Sequence, residues 1–70
     1  MNFYYLLNSS GQHFCGFDQN DNPIWQDSPS VYVYSWSQTR LQNYADDNEI
    51  DDATVTASSG GNAPPQGPGF

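Results

Sequence analysis

Positive charge is almost missing from this sequence: Arg40 is the only Lys or Arg among 70 residues, set against eight acids, for a formal net charge of −7. Phosphate binding depends on Lys and Arg displacing counterions, so direct contact with nucleic acid or an anionic membrane is disfavoured. A basic protein, or one whose basic groove normally holds DNA or RNA, is a compatible partner. Cys15 is the single cysteine, which excludes an internal disulfide framework and leaves the redox compartment undeclared. No apolar stretch approaches the ~20 residues of a membrane span. Residues 1–7 lack the basic start and the apolar length of a secretory signal, so Asn8-Ser9-Ser10 reads as a turn rather than a glycosylation acceptor. Gly-x-Ser-x-Gly, Gly-Lys-Ser/Thr and Gly-x-Gly-x-x-Gly are all absent, which removes the serine-hydrolase, phosphate-loop and dinucleotide signatures.

What the sequence has in quantity is aromatic side chains, at 16% of residues. A chain of this length buries only about 60% of the surface it exposes when unfolded, so its stand-alone stability is expected to be marginal. Rings that each bury roughly 150–250 Å² are an efficient way to build so small a core.

The apolar run Phe3-Tyr4-Tyr5-Leu6-Leu7 predicts a first strand of four to six residues, closed by the turn Asn8-Ser9-Ser10-Gly11. Its two faces are both apolar, Phe3, Tyr5 and Leu7 on one and Tyr4 and Leu6 on the other, as in a central strand. Residues 12–17 predict a second strand with His13, Cys15 and Phe17 on one face and Phe14 on the other, and Gly16 marks a bulge. Asn20, Asp21 and Asn22 make a polar turn, with Pro23 fixing φ beside it. A short third strand over 23–26 follows, then the turn cluster 27–30 and a fourth strand over Val31-Tyr32-Val33-Tyr34. Ser35 with Gln38 three residues on reads as a capping box. Leu41, Tyr44 and Ala45 then supply a narrow apolar stripe on a helix of two to three turns, too short to persist without a sheet beneath it. Five carboxylates within Asp46–Asp52 oppose the helix dipole and stop the helix. Residues 53–57 predict a brief final strand. From Ser58 the chain is rich in Ser, Gly and Pro, a composition for an extended tail whose one anchor is Phe70.

Each candidate site has a plainer reading beside it. Asp18-x-Asn20-x-Asn22 has the alternating oxygens that open a calcium loop, but Pro23 replaces the sharp-turn glycine and Pro29 the bidentate glutamate. Cys15 and His13 share a strand face without an orienting third group, so packing roles outrank a nucleophilic pair. Asp18 and Asp27 sit in turns, not in the apolar setting that raises a catalytic carboxyl pKa. Trp25, Tyr32, Tyr34 and Trp36, together with Tyr4, suit an aromatic protein interface. Asp46, Asp47, Glu49, Asp51 and Asp52 suit a solvated acidic one. No catalytic, cofactor or metal residue is assigned.

The expected fold class is α+β: an antiparallel sheet of three to four strands with one short helix over residues 2–50, then an acidic and Pro/Gly/Ser-rich tail over 51–70. The sequence of an apolar strand, a turn at Gly11, an aromatic strand ending Gly16-Phe17-Asp18, a polar turn, Pro23-Ile24-Trp25 and a later strand and helix is similar to short uncharacterised β-hairpin-plus-helix proteins of phages and prophages. That resemblance spans residues 3–45 and departs from its pattern at Asn22, where a glycine is usual, and in a helix poor in Lys, Glu and Ala. It implies a viral origin and a place in a virion or host cytoplasm, and supplies no catalytic residue. The functional expectation is a non-enzymatic module that binds a capsid or tail assembly through its aromatic surface and its Pro/Gly tail, Phe70 included, in an oligomeric or assembly context. The alternative is an acidic mimic of nucleic acid that blocks a basic host protein.

Overall fold

A computed structural model describes residues 2–58 and 69–70. It is an α+β fold, one open antiparallel sheet carrying one short helix: β1 (Tyr4–Leu7), β2 (His13–Phe17), β3 (Pro23–Gln26), β4 (Tyr34–Ser35), α1 (Gln38–Asp47) and β5 (Thr54–Ala57). The doubly apolar β1 is central. β5 pairs with it along its whole length, from Tyr4↔Ala57 to Leu7↔Thr54, and so takes one complete edge. The other edge is shared, because β2 pairs at Leu7↔His13 and β4 at Tyr4↔Ser35 and Tyr5↔Tyr34. The β1–β2 hairpin therefore splays away from its turn, and residues 33–35 enter the gap, where the Val33 N–H donates to the Phe14 carbonyl at 3.1 Å. β5 lies in the stretch assigned to the tail, so the sheet runs past the acidic segment.

Both hairpin turns are built by the same device. Asn8 Oδ1 accepts from the N–H groups of Ser10 (3.0 Å) and Gln12 (2.9 Å), and Asp18 Oδ1 accepts from those of Asn20 (2.8 Å) and Asn22 (2.9 Å). The fourth residue of each turn has positive φ, Gly11 at 77° and Asp21 at 62°. A side chain that mimics a backbone turn and a residue that tolerates the left-handed region are the requirements of such a bend.

Three local expectations are corrected. First, Phe17 lies on the face of Phe14, its ring 5.2 Å away, because the register slips by one between Phe14↔Trp25 and Phe17↔Pro23. Gly16, at φ 109°, is the extra residue of this bulge, and one inserted residue reverses the alternation beyond it. Second, the strand expected over Val31 to Tyr34 is reduced to Tyr34–Ser35, with Val31 54% exposed. Only the part that reaches β1 finds a ladder partner. Third, the helix N-cap is Ser37, not Ser35: the Ser37 side chain accepts from the Arg40 N–H at 3.3 Å, while Ser35 is buried in β4.

The helix ends in a Schellman motif. Ile50 N–H donates to Ala45 O (3.0 Å) and Glu49 N–H to Asp46 O (3.2 Å), with Glu49 in the left-handed region at φ 52°. That turn drops Ile50 into the core beside Leu6, Phe14, Leu41 and Ala45, against which Tyr4, Phe17, Trp25, Val33, Tyr44 and Val55 pack. Ser58 closes the sheet by bonding Phe3 twice: Ser58 N–H donates to Phe3 O at 2.8 Å, and Phe3 N–H donates to Ser58 Oγ at 3.1 Å.

Candidate functional site

Alternation along β1 sends Tyr4 and Leu6 to the helix and Phe3 and Tyr5 to the opposite face, where Gly69 lies against Tyr34. A ring network forms there. Tyr5 stacks on His13 with centroids 5.0 Å apart and planes at 21°, and Tyr32 closes on both, at 5.4 Å from Tyr5 and 4.6 Å from His13. Phe3 continues the network to Tyr34 (5.6 Å) and Trp36 (6.0 Å), both edge-on, and Tyr34 meets Trp36 at 5.8 Å. Phe3 and Tyr34 are buried, whereas Trp36 keeps 44% of its surface exposed. The result is a ridge of aromatic rings with an exposed tryptophan at one end.

Burial among these rings lowers the His13 pKa, and its Nδ1 is buried without a hydrogen-bond partner. Burial likewise raises the Tyr32 hydroxyl, with the neighbouring Tyr5 adding to the shift. Cys15 donates to the His13 backbone carbonyl at 3.4 Å, and burial raises its thiol pKa. These are the opposite of the surroundings that activate a thiolate. Asp18 spends its Oδ1 on backbone donors, which accounts structurally for the Asp18-x-Asn20-x-Asn22 spacing. Among the described residues no three His, Cys, Asp or Glu side chains converge as a metal site. No helix there is long and apolar enough to cross a membrane.

The acidic residues divide. Asp46, Glu49 and Asp51 line an open depression of about 550 Å³ with Ala45 and Ile50 at the end of α1. Asp46 also accepts from the Gln42 amide at 3.1 Å. Asp47 is exposed on the last helical turn. Asp52 turns away, at φ 56°, to accept from the Ser9 hydroxyl (2.7 Å) and N–H (3.1 Å), bonds that hold its carboxyl below the usual range.

Of the residues singled out as a protein-binding set, Tyr32, Tyr34 and Trp36 fall on the aromatic ridge. Trp25 does not: its ring packs edge-on against Phe14 at 5.4 Å, on the helix side. Phe70 is held by its own chain. Its backbone oxygen accepts from Trp36 N–H at 2.9 Å and from the Ser35 hydroxyl, and its ring lies 5.3 Å from Tyr44. The tail expected between Ser58 and Phe70 otherwise lies outside the described residues. Phe3, Tyr5 and His13 were not among the expected binding residues, although their alternate spacing with Leu7 and Cys15 already set one face apart.

The chain matches no family model, and comparison with curated proteins and with solved structures gives no match. The likeness to phage and prophage proteins thus has no relative for or against it.

Proposed function

We propose that this chain is a non-enzymatic protein-binding module, a small phage structural or accessory protein that docks on a capsid or tail assembly through the aromatic face opposite the helix, at Tyr32 and Trp36. The observation that carries this reading is the ridge from Tyr5, His13 and Tyr32 through Phe3 and Tyr34 to the exposed Trp36. Aromatic residues are enriched at protein interfaces, and Tyr and Trp dominate the residues whose truncation costs most binding.

The test is incorporation into particles. Wild-type chain should co-purify with assembled particles in stoichiometric amount, and Trp36→Ser and Tyr32→Ser, each with an unchanged circular dichroism spectrum, should reduce incorporation at least tenfold, the order expected from about 1.4 kcal/mol or more per interfacial aromatic. Full incorporation of both variants would refute docking through this face.

A second reading is favoured by the depression between Asp46, Glu49 and Asp51: an acidic mimic that occupies the nucleic-acid groove of a basic host protein. Its complex would weaken steeply with salt, and neutralising Asp46, Asp47, Glu49 and Asp51 would abolish it while leaving the Asp52–Ser9 contact in place. Unchanged affinity for that basic protein after these four changes excludes this reading.

A further inference from the structure

The contacts of Gly69 and Phe70 resemble a ligand in a receptor more than a continuation of the core. Ser35 and Trp36 offer two donors to one backbone oxygen of Phe70. Ser35 is itself fixed, because its buried Oγ also accepts from the Ser37 N–H at 3.0 Å, which ties the groove to the cap of α1. Tyr44 supplies a ring wall for the Phe70 side chain. Gly69 lies so close to Tyr34 that an added Cβ would overlap the phenol ring at Cε2, Cζ and Oη. A backbone acceptor, an aromatic side chain and, before it, a glycine seated against the Tyr34 ring make a three-point specificity.

We propose that Tyr34, Ser35, Trp36 and Tyr44 form a peptide-recognition site for a Gly-Phe segment, filled in cis by residues 69–70 and open in trans to the same segment of a second copy of this chain. The site goes beyond docking through the aromatic face and stands without it. Ten residues separate Ser58 from Gly69, and a chain of that length reaches at most about 33–36 Å. Being part of the same chain, the segment meets its groove at an effective concentration on the order of mM. Exchange between copies remakes identical contacts and needs no new complementarity, which is why swapping an element is a low-cost route to a dimer. At µM concentration the cis arrangement prevails; at mM concentration the trans arrangement competes.

The experiment uses full-length, isotopically labelled chain carrying Phe70→Ala and an unlabelled synthetic peptide of residues 64–70. The peptide should shift the Trp36 amide and the Tyr44 ring resonances saturably. Wild-type chain, its groove already filled, should bind roughly five- to tenfold more weakly. A peptide carrying Gly69→Ala should not bind. Absence of a Trp36 shift in the folded Phe70→Ala chain would overturn the proposal, as would equal binding by wild type or by the alanine peptide. Full-length Gly69→Ala is a second unlatched receptor, and unfolding of both variants would show residues 69–70 to be core, not ligand. Wild-type chain should also show concentration-dependent dimer by sedimentation, and Phe70→Ala should not.

Discussion

Replacing Glu49 with glycine should make this protein more stable, although it deletes a side chain and adds backbone freedom. Glu49 occupies the left-handed position of the Schellman motif at φ 52°. A non-glycine residue there carries a steric cost of roughly 1–2 kcal/mol, from which glycine's larger unfolded-state entropy takes back about 0.4–1 kcal/mol. The carboxylate also sits at the negative end of α1, where an acid costs about 0.3–1 kcal/mol at low salt. Among the described residues the Glu49 side chain makes no hydrogen bond that would offset these terms. The sum is a gain of about 1 kcal/mol or slightly more, which in a domain of this size raises the melting temperature by roughly 4–8 °C per kcal/mol. Glu49→Ala separates the contributions, because alanine retains the steric cost and relieves only the dipole. Thermal melts of both variants at low and high salt read the two terms independently. Glycine should exceed alanine by about 0.5–1 kcal/mol at every salt concentration, while the gain of alanine should fade as salt rises. If Glu49→Gly melts at or below Glu49→Ala, the left-handed strain assigned to this position is wrong.

Other perturbations probe other joints. Burial lowers the His13 pKa from an ordinary value of 6.5, so between the folded and unfolded pKa the unfolded chain binds more protons; stability should fall as pH drops below about 6.5, and His13→Phe should flatten that limb of a pH–melting curve. The Asp52 carboxyl is depressed by its two bonds to Ser9, so its contribution is present above the ordinary carboxylate pKa and is lost as pH falls through the lowered one; Asp52→Asn should reduce the steepness of acid unfolding below pH 4. Ser58→Ala leaves the buried Phe3 N–H without its acceptor and should cost about 1–3 kcal/mol by urea denaturation. Leu41→Ala empties the centre of the core and should cost about 2–5 kcal/mol, enough to populate the unfolded state of a 70-residue domain at room temperature.

The parts of the fold legible in the sequence are those fixed within a few residues. Pro23–Gln26 begins at a proline and ends at the turn cluster, and Leu41, Tyr44 and Ala45 repeat at helical spacing, so both elements stand where local chemistry put them. Gly16 was legible as a bulge, yet its consequence for Phe17 was not. The direction of every side chain beyond a bulge depends on the register of the partner strand, and only pairing with Pro23 decides it. The two serines before the helix show the same limit. Ser35 and Ser37 are both competent caps, and what disqualifies Ser35 is a long-range fact: the splayed β1–β2 hairpin draws Tyr34 and Ser35 into the sheet and moves the helix start two residues on. That single splay also trims the fourth strand, leaves Val31 exposed, and stands Tyr32, Tyr34 and Trp36 on the face away from α1. Had β2 paired with β1 along its full length, Tyr5 would face a β2 residue across the ladder instead of Tyr34, and the aromatic ridge would lose its continuity from His13 to Trp36. The candidate interface is thus a product of one topological choice, made where the Val33 N–H donates to the Phe14 carbonyl.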